Sequence, residues 1–151
     1  MMLVSPSQTA ALMAAGVFFL VGLLTGVWKY WQMHRDGRDH YYVAVAHRAS
    51  LMYAFAALVL ERLALFSAWP EQVNLWAVLA SCLFFALAIG TYVVHGLLKD
   101  TTNQLKRPHR LGTWYLPPYL VMGFMLALIM AEVGGFLVLF SGAAYTLLWM
   151  G

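Results

Sequence analysis

The stretch "YYVAVAHRASLMYAFAALVLERL", Tyr41 to Leu63, decides the fold. It is apolar enough to lie in a lipid bilayer, yet it carries His47 and Arg48 near one end and Glu61 and Arg62 near the other. About 20 helical residues cross a bilayer core of about 30 Å. Apolar residues on every side of the helix argue for a spanning segment rather than a helix lying on the membrane surface.

The rest of the chain agrees. Its 151 residues are 63% hydrophobic and only 10% charged, with a mean hydropathy of +0.74. Soluble domains hold about 25% charged residues, so this composition leaves too little polar surface for a soluble protein. The expectation is an all-α integral membrane protein, one domain built as a bundle of four transmembrane helices. The spans run from about 9 to 31, 42 to 66, 74 to 98 and 118 to 148. The first lacks the positive leading segment of a signal peptide and reads as a retained span. The fourth is long, and Gly134-Gly135 or Ser141-Gly142 are candidates to kink or end it.

Trp28, Trp31, Tyr41, Tyr42, Trp69, Trp114, Tyr115 and Trp149 fall at the expected span ends, where amphipathic rings prefer to lie. Lys29, Arg35 and Arg38 occupy the first loop, and Lys99, Lys106, Arg107 and Arg110 the third. The middle loop, "SAWPEQVN", has no Lys or Arg. The positive-inside rule then puts the basic loops in the cytoplasm of a bacterial cell (inner) membrane and both termini outside. A net charge of +3 spread this way is a topology signal. Nucleic-acid binding needs a basic domain, and there is none. The lone Cys82 excludes a disulfide within the chain and reads as a small buried hydrophobe.

This orientation puts His47 roughly 7 Å past Tyr42, and His95 roughly 6 Å before Lys99, on neighbouring antiparallel helices. Both are expected at similar depth on the basic side. Intramembrane histidines are uncommon and often functional, and a neutral imidazole is a good axial ligand for haem iron. Alternatively, both are interfacial and merely hydrogen-bonded. His47, Ser50 and Ala54 form one stripe whose small residues admit a planar ring or a neighbouring helix. Tyr53 lies six residues after His47, and Tyr92 three before His95 on the same face. Either tyrosine can orient a ligand or simply pack.

Glu61 and Arg62 are expected at the outer interface, solvated or snorkelling. Glu132 falls near the bilayer midplane, where a lone carboxylate is costly unless protonated or paired. The loop "KDTTNQLKRPHRLG", Lys99 to Gly112, is either a cover over a site near His95 or a connector on lipid heads. "GLLTG", Gly22 to Gly26, matches a small-xxx-small helix-packing motif. Triad, P-loop and dinucleotide fingerprints are absent.

Ala46-His47 at the start of the second helix, a polar residue six positions on at Tyr53, and Gly90-Thr91-Tyr92 in the third helix resemble a family of four-helix bacterial membrane isomerases. These are the styrene oxide isomerases and hydroxylaminobenzene mutases. Where that family usually carries Asn, this chain has Tyr53, and His95 stands outside the family pattern. The resemblance implies a homo-oligomer holding haem b at subunit boundaries, with the helix-two histidine as axial ligand. It implies ferric iron acting as a Lewis acid that turns an epoxide into a carbonyl. Carried over, His47 is the iron ligand; the reading of the residues themselves adds Ser50 and His95 as further cofactor contacts. Tyr53 and Tyr92 orient a small apolar substrate arriving from the lipid. Two other readings stay open: a b-type electron-transfer protein with His47 and His95 on one haem, and a cofactor-free accessory subunit of a membrane complex.

Overall fold

The computed structural model describes residues 4–150. Its helices are α1 (Pro6–Asp36), α2 (Tyr41–Phe66), α3 (Glu71–Leu98) and α4 (Pro118–Tyr145), the last running on into a π-helical turn, Thr146–Met150. All four are long and apolar enough to cross a membrane. The chain is a multi-pass all-α bundle.

Local chemistry explains the helix ends. Ser5 caps α1 in a box with Gln8, each side chain taking the other's backbone N–H, and Pro6 occupies the first turn. At the far end Gly37 takes the left-handed conformation, φ 71°, and closes α1. The helix thus runs to Asp36, well past the expected end at residue 31. At 1.5 Å per residue it exceeds the bilayer core, so its last turns project on the basic side.

The centre of the bundle is built from small residues. Ala11, Ala15, Ala54, Ala57, Val78 and Cys82 are buried around Phe18, Phe85 and Leu139. Small side chains let helices approach closely, and in lipid that packing replaces the hydrophobic effect as the source of cohesion. Many large apolar residues, among them Met52, Phe55, Trp76 and Met130, stay exposed. Lipid is their solvent.

α4 crosses without a break. Gly135 and Gly142 are instead points of close approach. A Cβ at Gly135 would run into Ser81 and the Ala77 carbonyl, and one at Gly142 into Ser67 and Trp69. Trp69 in the α2–α3 turn donates its indole N–H to the Val138 carbonyl at 3.0 Å, and the Ala68 N–H bonds the Gly142 carbonyl. The outer end of α4 is therefore latched to that turn. The third loop, in turn, folds into a small antiparallel hairpin, β1 (His109–Leu111) with β2 (Trp114–Leu116), turning at Gly112 with φ +61°.

Glu61 departs from expectation. It is 9% exposed, paired with Arg62 at 2.9 Å and reached by the Gln8 amide at 3.4 Å. Burial against α1 takes it out of the solvent that was expected to hold it. Arg62 alone snorkels.

Candidate functional site

His47 is seated by α1. Its ring lies over Gly26, where an added Cβ would come within 2.8 Å of Cε1. Nδ1 is 2.8 Å from the Gly22 carbonyl. A carbonyl only accepts, so Nδ1 carries the proton and Nε2 keeps its lone pair. Nε2 makes no hydrogen bond within the described residues and is not among the buried unpartnered atoms, so it reaches the protein surface. Thr25, which bonds back to the Val21 and Gly22 carbonyls, holds the same turn of α1. The small-xxx-small motif and the intramembrane histidine, separate signals in the sequence, thus form one structure: Gly22 and Gly26 make the notch and His47 fills it.

Ser50 does not extend that notch outward. It is fully buried, and its hydroxyl donates to the Ala46 carbonyl at 2.7 Å. Ala54 is buried as well. Of the two uses open to the His47–Ser50–Ala54 stripe, a planar ring or a neighbouring helix, helix packing takes the last two residues. Ser50 has no open face to offer a cofactor.

The tyrosines point elsewhere. Tyr53 stacks on Phe85, ring centres 4.4 Å apart, and Tyr92 stacks on Tyr42 at 6.0 Å. Tyr92 and His95 do share a face, since both rings meet Tyr42. Neither the Tyr53 nor the Tyr92 hydroxyl is hydrogen-bonded within the described residues. Glu132 Oε1 is buried without a partner among the described residues.

His95 occupies a different setting. It is 5% exposed, and its Nδ1 lies 2.8 Å from Asp100 Oδ1. The other Asp100 oxygen accepts the Gly112 N–H, which ties the hairpin to the end of α3. Burial pushes the Asp100 carboxyl upward, but the bonds from Gly112 and His95 outweigh it and hold the group below its ordinary range. The Val43 side chain abuts Gly96, which sets the α2–α3 register and puts Tyr92, not His95, level with His47. The two histidines are offset by three residues, a little under one turn, roughly 4.5 Å. No hydrogen bond or ring contact joins them among the described residues. Equal depth was expected from loop boundaries alone; the offset arises because Tyr42 and Val43 pack against the last turn of α3.

Beside His95 lies a cavity of about 180 Å³ between the hairpin and the start of α4. Gln104 and His109 border it with His95, and Leu120, Phe124 and Met125 form its apolar wall. Asp100, Gln104 and His109 escaped the sequence reading, which left the loop open between a cover over a site near His95 and a polar connector and singled out no residue within it. The available signal was an Asp five residues after a membrane histidine, just past the helix end. Among the described residues no group of three or more His, Cys, Asp or Glu side chains is placed to hold a metal ion. No family model matches this chain, and no curated protein or solved structure matches it either.

Proposed function

We propose that this chain is a haem-b-binding membrane isomerase of the epoxide-to-carbonyl type, with His47 as axial ligand. The observation that carries the reading is the state of the His47 ring. Metal-ligating histidines donate their second ring N–H to a carbonyl or carboxylate, which fixes the tautomer and aims the free nitrogen. His47 has this arrangement, with Nδ1–H on the Gly22 carbonyl and Nε2 at the surface of the bundle. That fits a cofactor held between copies of the chain rather than inside one.

Haem held there by His47 would supply Lewis-acid chemistry at its iron. The chain's own part is to hold the ring, exclude water and orient a substrate oxygen. The unpaired hydroxyls of Tyr53 and Tyr92 are suited to the last task. Since they face away from the His47 notch within one chain, they meet the ligand from a neighbouring copy of a homo-oligomer. The substrate is small and apolar, entering from the lipid. The basic loops face the cytoplasm of a bacterial inner membrane, with both termini outside.

The test is the visible spectrum of the detergent-purified protein, oxidised and then reduced with dithionite. A high-spin, five-coordinate Soret band that disappears in His47→Ala is expected. Sharp low-spin bands lost in His95→Ala would replace this reading with electron transfer, which the offset between the two histidines along their helices disfavours. Should no Soret band form even with haem supplied, the accessory-subunit reading takes its place.

A further inference from the structure

We infer that the cavity under the hairpin is a second binding site, distinct from the His47 notch, for a small hydroxylated ring compound of the phenol type. Its size comes first. An engineered apolar cavity of about 150 Å³ takes a benzene ring, and this one measures about 180 Å³. Its wall has the right chemistry: Leu120, Phe124 and Met125 lie at positions of α4 that share one face.

The polar end is rich in acceptors. Asp100 fixes the His95 proton on Nδ1, and the Gln104 carbonyl, 3.2 Å away, does the same for His109. In the neutral form each ring therefore keeps a lone pair on Nε2. Neither Nε2 is hydrogen-bonded within the described residues, and neither is among the buried unpartnered atoms. Both residues are nearly enclosed, His95 5% and His109 6% exposed, and both line the cavity. Next to them Gln104 Oε1 is buried with no partner. Gln104 Oε1 is thus a buried acceptor with no donor among the described residues, and a ligand hydroxyl beside it would supply one.

Charge narrows the class. Lys99, Lys106, Arg107 and Arg110 belong to the loop, and Arg110 itself lines the cavity, so an ammonium head is disfavoured against a neutral hydroxyl. A bare metal ion would leave the apolar wall without a use. A ring bearing one O–H satisfies both ends of the cavity.

The experiment titrates phenol, with toluene as the isosteric control lacking the hydroxyl, into the detergent-purified full chain labelled with ¹⁵N-histidine. Phenol is expected to shift the His95 and His109 Nε2 resonances saturably and toluene is not. His109→Phe should weaken phenol about tenfold, the worth of a lost hydrogen bond. Phe124→Trp, which fills the cavity from the wall and leaves both histidines in place, should abolish the shift. His47→Ala should leave it intact, which separates this site from the haem reading. Equal shifts by phenol and toluene, or phenol affinity unchanged in both cavity variants, overturn the proposal. So does Zn²⁺ moving both Nε2 resonances where phenol moves neither, which would identify a metal site instead.

Discussion

His47 and His95 differ by a little under one helical turn in depth, yet they are held in opposite ways. His47 is seated by packing: two glycines of α1 open a notch and a backbone carbonyl takes its proton. His95 is seated by charge: a loop carboxylate grips it and also pins the hairpin. The first arrangement is built from contact between two apolar helices. The second sits at the water boundary, where a titrating group can release it. A membrane histidine thus takes its character from whatever occupies its Nδ1 nitrogen.

The largest expected effect strikes the packed histidine. Gly26→Leu puts branched carbon where the His47 ring lies and should cost about 3 kcal/mol, the upper end for overpacking. Thermal unfolding in detergent would show it, together with loss of any Soret band. Were stability unchanged, the notch would not be what seats His47. Asp100→Asn should cost less, about 1–2 kcal/mol, because the amide keeps some of the hydrogen bonding. Faster hydrogen exchange at the Gly112 N–H is its signature, with the spectrum of any haem on His47 unaltered.

Acid sharpens the same contrast. Asp100 is lowered from its ordinary value of 3.8 in the folded protein. Its contribution is therefore complete above that value and lost as pH falls through the lower folded value. Exchange at Gly112 should accelerate in strong acid while the α1–α2 packing persists. Ser50→Ala should be smaller again, about 0.5–1 kcal/mol for one buried hydroxyl bonded to its own helix, with no spectral change. A large spectral change there would return Ser50 to the cofactor site. Asp36→Asn, at the exposed Arg35 pair, should leave the melting temperature where it is.

The helices were legible in the sequence because lipid imposes a length and a composition that a sequence shows directly. The unbroken α4 was harder to see. Gly134-Gly135 and Ser141-Gly142 look like breaks until Ser81 and Trp69 are found pressed against them. Small residues signal bending and close approach alike, and only the neighbouring helix decides which. Glu61 misled for a similar reason, since its partner Gln8 lies 53 positions away. For the site, His47, His95, Tyr53 and Tyr92 were all visible as residues. Their partners were not. Which carbonyl takes an imidazole proton depends on helix register, and an offset of under one turn between α2 and α3 is below what loop boundaries resolve. Asp100, Gln104 and His109 come together only because the hairpin folds back over the end of α3.

The latch between Trp69 and the outer end of α4 bears on how the chain is made. Ribosomal synthesis delivers α1, α2 and α3 before α4 exists. Until then the Trp69 indole lacks the Val138 carbonyl, the Ala68 N–H lacks Gly142, and the Ser81 hydroxyl lacks Ala131. A three-helix nascent chain therefore leaves these donors without their α4 acceptors, Ser81 within an apolar span and Ala68 and Trp69 in the turn at its end. Arrival of α4 supplies those acceptors, so the α2–α3 turn and the middle of α3 reach their final hydrogen bonding only when the fourth helix packs.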